Sequence, residues 1–379
     1  IDRLSYSIAD DPQAKTSTMI DMLRKVPLVT VDGNDKISIK GKSSFKIYVN
    51  GKPNKMMSDN PSMVLKSFPA SVVKRVEVIT DPGAKYDAEG VNGILNIVTA
   101  TETNVNGYTL QPKVKVGYKV LGADNFAMVK YNKFTLSSNF GFQNMLERKT
   151  TLTSEREAFN DPINHFMKQK REGYGKQRAF YLGVDASYEL TTKDLLTASF
   201  SMHKGKTPNR ANGTNTMLDA QGNTVYSFKD WQYLKRKWIG YDFSADYQRQ
   251  FAKEGQMLTL SYKYSTDAHN EPSENSYSDL LNVPANIIIQ DNQLTPDGKT
   301  QEHTAQIDFT TPIGKLHTLA FGAKYINRLN HSNNVEMVRE SGTTLPYSLD
   351  ETNSFIYDHR NDIKAGYAEY TFKYHWEKK

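Results

Sequence analysis

The chain of 379 residues contains no cysteine. That absence excludes a disulfide framework, a thiolate metal site and a catalytic thiol together. Long apolar runs are missing as well, and nothing approaches the ~18 consecutive apolar residues of a membrane-spanning helix. The opening residues, IDRLSYSIADD, lack the basic start and apolar core of a signal peptide. Either the chain is cytosolic, then, or its numbering begins after processing or trimming. Tryptophan is scarce, with 3 residues against 22 tyrosines and 17 phenylalanines. Tyrosine and phenylalanine fit a pleated surface, so this balance points to a β-rich chain.

Recognisable catalytic chemistry is also missing. The eight histidines are scattered, with no HxH or HExxH pairing that would support zinc hydrolysis. GKSS at 41–44 resembles the end of a phosphate loop, but the preceding glycine, Gly33, stands seven intervening residues away instead of four. Asp87 and Glu89 are close enough to suggest an acid/base pair or a calcium site, yet no third ligand has EF-hand spacing, and a solvated pair is the plainer reading. No GxSxG elbow is present. The expectation is a protein that is not an enzyme and needs neither cofactor nor metal.

At ~100–200 residues per domain, the length permits two or three domains, or a small one beside a large β structure. The net charge is +6, and its densest basic clusters are KQKREGYGKQR (168–178) and YLKRKW (233–238). Both read as solvated loops between strands. Their alternative is contact with an anionic partner such as lipid head groups or nucleic acid.

Organisation changes near residue 100. Before it, short mixed elements alternate. TSTMIDMLRKV (16–26) predicts a helix capped by Thr16 or Ser17, with Met19, Met22, Leu23 and Val26 on one face and Pro27 as its stop. VTVD and KISIKG predict two short strands around Asp32-Gly33-Asn34. FKIYVNGKP (45–53) predicts a strand entering an Asn-Gly turn. PSMVLKSFP (61–69) predicts a short helix, and VVKRVEVIT (72–80) a buried strand. Together they form a compact α/β unit.

Beyond residue 100 two-residue alternation takes over. In IGYDFSADYQRQF (239–251) one face carries Ile239, Tyr241, Phe243, Ala245 and Tyr247, and the other Asp242, Ser244, Asp246 and Gln248. AFYLGVDASYEL (179–190) follows the same scheme, as do TLSSNFGF, LLTASFSM, LTLSYKY, TAQIDFTT and YAEYTFKYHW. About ten strands result, joined alternately by short turns such as 189–194 and long polar loops at 204–230 and 265–300. Runs of ten to thirteen residues exceed the usual globular ~5–6 and match the ~9–11 that cross a bilayer at a tilt. The fold class expected is an α/β plug-like unit followed by antiparallel all-β membrane-barrel strands, with a soluble β protein as the alternative.

RVEVITDPGAKYDAEGVNGILNIVT (75–99) carries the identification. Arg75, Val76, Glu77, Val78, the Asp81-Pro82-Gly83 turn, Tyr86, Gly90, Gly93, Ile94, Asn96, Ile97 and Thr99 resemble the hallmark of the plug domain of TonB-dependent outer-membrane receptors. MIDMLRKVPLVTVD, ISIKGKS and FKIYVNGKP resemble earlier plug elements in the same order. Asn92 stands where the hallmark has a first glycine, and Lys74 where glutamate is common.

The resemblance implies an N-terminal lead at 1–15, a plug at 16–100 and part of a 22-strand barrel at 101–379. It implies that Gly90 and Gly93 allow a tight turn and close approach to the barrel wall, and that Arg75 and Glu77 face its polar lining. It also implies energised uptake of an unidentified nutrient (glycan, peptide, iron chelate or similar) at a site the sequence does not locate. Expected partners are outer-membrane lipid, an inner-membrane TonB complex through an N-terminal box, an unidentified small ligand and a surface lipoprotein; nucleic acid is not among them. Signalling or adhesion without transport, and a soluble β-rich binding protein, are the competing readings. A 22-strand barrel needs roughly 220 strand residues before loops, more than residues 101–379 supply once loops are counted. An internal portion of a longer receptor is therefore expected.

Overall fold

The computed structural model describes residues 3–33, 35–49, 52–53, 57–58, 61–68, 70–80, 93–99, 106–253, 255–285, 287–314 and 316–372. Its N-terminal unit is built on a five-stranded sheet of β1 (Arg3–Ser7), β4 (Lys46–Val49), β5 (Lys52–Pro53), β6 (Val73–Ile79) and β7 (Ile94–Thr99). The strand order is β1-β6-β7-β4-β5, with β4 and β7 parallel and the other pairs antiparallel. Residues 3–7 of the N-terminal lead are thus an edge strand of this sheet, and Pro12–Lys15 forms a 3-10 turn capped by Asp11. β2 (Val29–Val31) and β3 (Ile37–Ile39) pair as the small hairpin expected around residue 33.

The helices α1 (Met19–Leu23) and α2 (Pro61–Ser67) pack on this unit, and Ala70–Val72 adds a 3-10 turn. The α1 helix is shorter than its apolar spacing predicts, and its cap is Thr18, not Thr16 or Ser17. Asp21 decides the start, because its carboxylate accepts from the Thr18 amide at 3.3 Å and the Thr18 hydroxyl at 2.6 Å. That reciprocal box satisfies donors the first turn would otherwise leave bare. The predicted apolar face is nonetheless the buried one. Met19, Met22, Leu23 and Val26 pack with Ile47, Leu65, Val76, Val78, Leu95 and Ile97 into one core.

The remaining strands form one antiparallel meander: β8 (Gly107–Gly117), β9 (Val120–Tyr131), β10 (Phe134–Glu157), β11 (Phe166–Glu189), β12 (Asp194–Leu218), β13 (Thr224–Gln250), β14 (Met257–Asn270), β15 (Ser273–Leu281), β16 (Gln290–Ile313), β17 (His317–Glu340), β18 (Ser348–Leu349) and β19 (Phe355–Phe372). β14 and β15 both lie between β13 and β16 as one strand interrupted at Glu271-Pro272, so the path contains ten long strands. Among the described residues β8 and β19 are its edges. The sheet is a partial barrel.

Strand length departs from the sequence reading. β13 has 27 residues and β12 has 25, so residues assigned to long loops at 204–230 and 265–300 are mostly strand. At ~3.3 Å per residue β13 spans about 90 Å, far beyond a bilayer crossing. Outside the bilayer both faces of a strand meet water, so no alternation marks it in sequence. Backbone pairing continues there regardless, because ladder hydrogen bonds do not depend on side-chain polarity.

Candidate functional site

Cross-strand partners share a face of a sheet, so the register traces each face of the wall. One rung runs Phe126, Asn139, Gly183, Ser201, Asp242, Ser265, Glu302, Arg328 and Asn361 from β9 to β19. Apart from Phe126 and Gly183 it is polar throughout. A rung on the opposite face runs Ala127, Ser138, Val184, Phe200, Phe243 and Tyr264. Phe200 and Phe243 there, and Tyr262, Ile307, Phe321 and Tyr325 on the same face, are exposed large side chains. One side of the wall is wet and the other greasy, as the two-residue alternation predicts.

Phe126 establishes which side holds the plug-like unit. It is 1% exposed and belongs to that unit's core cluster, with Met128, two residues on, packed against the same cluster. The polar face therefore looks inward at the α/β unit and the apolar face looks outward. Among the described residues, Phe126 and Met128 are the wall side chains that reach the core of that unit. Burying a phenylalanine contributes about 1.5–3 kcal/mol, so this contact helps to hold the two parts together.

The motif residues lie on the sheet beneath that joint. Glu77, 2% exposed, sits amid Val76 and Val78 on β6. Its carboxylate accepts from Arg75 Nε at 2.9 Å and from Asn96 Nδ2 at 2.7 Å. Glu77 and Asn96 are direct partners across β6 and β7. A carboxylate held this deep needs a cation and a donor, or burial would force it to take up a proton. The structure thus brings Arg75, Glu77 and Asn96 together as one buried network. Gly93 lies at the start of β7, where a Cβ would stand 3.2 Å from the Ile79 carbonyl oxygen and 3.5 Å from Ile39. Its close approach is to a neighbouring strand of the same unit. Asp81, Tyr86, Gly90, Asp87 and Glu89 lie outside the described residues.

The inner face is lined with polar pairs. His203 Nε2 lies 3.0 Å from Asp267, Ser201 donates to Asp242 at 3.3 Å and Thr197 to Asp246 at 3.3 Å. Two inward glycines let large rings lie flat on this wall. Tyr181 covers Gly141 and Trp238 covers Gly205, where any Cβ would collide with the ring. Toward the long-loop end, Asp230 is buried between Arg171 at 2.9 Å and Asn215 at 2.7 Å. On the opposite face by register, Asp291 is held by Arg339 at 2.9 Å and Ser341 at 2.7 Å. Among the described residues no group of three or more His, Cys, Asp or Glu is arranged to hold a metal ion.

Phe126 is absent from the sequence-based candidates, although the chain does signal it. In NFAMV (125–129), Phe126 and Met128 make the inward face apolar as well, unlike residues 239–251, where that face is polar.

Residues 5–94 match the family described as TonB-dependent Receptor Plug Domain, and residues 249–378 the Outer membrane protein beta-barrel family. No curated protein matches the chain. Among solved structures it is similar to the ferric yersiniabactin uptake receptor FyuA from Yersinia pestis, at 10% identity and a TM-score of 0.37, covering 97% of this chain and 61% of that one. The ferric-catecholate import receptor Fiu from E. coli K12 matches at 11% identity and 0.32, over 98% and 66%. BauA, the ferric preacinetobactin receptor from Acinetobacter baumannii, matches at 10% and 0.29, over 98% and 61%. The chain thus spans 61–66% of the length of these three structures.

Proposed function

We propose, from the premise that this chain is a TonB-dependent receptor of the Gram-negative outer membrane, with a plug and part of a β-barrel, that it serves energised uptake of a small nutrient. The observation that supports this most directly is the Phe126 joint. The plug is a folded body whose core takes in Phe126 of the wall, with Met128 packed against it. In this reading the joint holds the plug at rest and yields to force on the plug. An inner-membrane TonB complex is the proposed source of that force. Arg75, Glu77 and Asn96 act in this reading as structural residues that keep the plug sheet intact while it is under load. Residues 16–100 are the plug and 101–379 the barrel portion, with β1 added to the plug sheet.

Growth on single limiting nutrients tests the proposal. Strains with and without the gene, each with the TonB complex intact or disabled, are compared on iron chelates, vitamin B12, glycans and peptides. Transport predicts that growth on one nutrient class requires both the gene and the complex. Growth independent of the gene on every class, together with a changed transcriptional or adhesive response, would replace transport with the signalling or adhesion reading.

A further inference from the structure

The two basic clusters singled out in the sequence are not in loops. They lie on β11 and β13, and the register brings their ends together across β12. Arg178 is the direct partner of Lys206, and Lys206 of Lys237. Three cations therefore stand side by side in one row of the sheet. All three are exposed. Arg178 donates to Asn144 at 3.3 Å, and the lysine side chains form no ion pair among the described residues. Lys204 adds a fourth cation one rung nearer the short turns, as the partner of Phe180 and Ile239.

Like charges directly opposed across a sheet destabilise it, and elsewhere this wall avoids that arrangement. Lys149 reaches Glu172, Arg236 reaches Glu271 and Arg328 reaches Glu302. The cationic row belongs to the outward face and borders a groove of about 490 Å³, lined in part by Phe180, Lys204, Lys206, Lys237, Ile239 and Asp297. Asp297 is the one carboxylate in that lining. Toward the short turns, the same face continues as Leu182, Met202 and Tyr241, then Val184, Phe200 and Phe243. The row thus marks where the apolar band ends on the long-loop side. At that level a bilayer presents its head groups, and basic side chains there attract anionic lipid.

We propose that Arg178, Lys206 and Lys237, with Lys204 beneath them, form a binding site for a phosphate-bearing lipid head group in the leaflet on the long-loop side. The groove floor of Phe180 and Ile239 takes the first part of its acyl chains. This site rests on the outer-membrane setting of the chain, and not on transport.

The test is native mass spectrometry of the full chain in detergent micelles doped with equal amounts of dioleoyl phosphatidic acid and dioleoyl phosphatidylcholine. The wild type is expected to retain phosphatidic acid preferentially, with a preference that falls as salt is raised. At about fivefold per cation, the triple variant Arg178→Gln/Lys206→Gln/Lys237→Gln is expected to lose about 100-fold in that preference. Lys193→Gln, in a short turn at the opposite end of the apolar band, is expected to leave it unchanged. Circular dichroism establishes that each variant keeps its sheet, and the conservative Arg178→Lys variant is expected to retain the preference. Equal retention of both lipids by the wild type, or an unchanged preference in the triple variant, would overturn the proposal. So would complete displacement of the lipid by inorganic phosphate, which would make this a free-anion site, or equal competition by a single-stranded oligonucleotide.

Discussion

Replacing Asn96 by leucine should destabilise the plug by an amount that depends on Glu77. In the native structure the Glu77 carboxylate is 2% exposed, with Asn96 Nδ2 at 2.7 Å and Arg75 Nε at 2.9 Å. Asn96→Leu removes one of those donors while the charge stays buried. A lost hydrogen bond to a charged group of this kind costs about 1.5–3 kcal/mol. Glu77→Leu removes the acceptor of Asn96 Nδ2, at about 1–3 kcal/mol. Each single variant already breaks the Glu77–Asn96 hydrogen bond, so the double variant should lose less than the sum of the singles, with a coupling of about 1–3 kcal/mol. Cysteine chemistry supplies the assay, because the chain has none of its own. Ala70, fully buried in the plug core, is changed to cysteine, and its labelling by a maleimide is followed against urea. With a slope of about 2 kcal/mol per molar urea, each single variant should lower the midpoint by about 0.5–1.5 M. Strictly additive midpoints would refute the reasoning, since they would mean that the two side chains do not depend on each other.

The remaining predictions use the same labelling assay. Phe126→Ala should cost about 3–5 kcal/mol at the joint, lowering the urea midpoint of the plug while the circular dichroism of the wall stays unchanged; an unaltered midpoint would remove the joint from the account. Thr18→Ala should cost about 0.5–2 kcal/mol by breaking the capping box with Asp21, and Thr16→Ala should cost less than Thr18→Ala. The hydrogen bond from Lys66, with the charges of Lys66 and Arg24, holds the Asp35 carboxyl below its usual value. A carboxylate lowered on folding stabilises the native state fully above its unfolded value of about 3.9 and loses that contribution as pH falls through the folded value. Asp35→Asn should therefore lower the plug midpoint at pH 7, with the difference closing as pH falls below about 4. A difference undiminished at pH 2 would contradict the assignment. Gly205→Ala should push Trp238 off the inner wall and shift the fluorescence of a chain that has only 3 tryptophans; an unchanged spectrum would mean that the ring moves without cost.

What the sequence determines by itself is whatever depends on local periodicity. The α1 face of Met19, Met22, Leu23 and Val26, the β2–β3 hairpin and the two faces of residues 239–251 are all legible, because spacings of 3.6 and 2 act within one segment. The plug motif is legible for the same reason, being a contiguous stretch. Tertiary structure alone decided the rest. Strand lengths near 25 residues were hidden because a strand with two wet faces has no alternation, although its backbone still pairs. The α1 boundary turned on the Asp21 carboxylate, a side-chain choice that apolar spacing does not register. Phe126 acquired its meaning only when the wall and the plug met. The cationic row needed the register most of all. Arg178, Lys206 and Lys237 are distant in the chain, and only hydrogen-bonded strands, which carry each side chain to a fixed partner on a fixed face, set the three charges side by side.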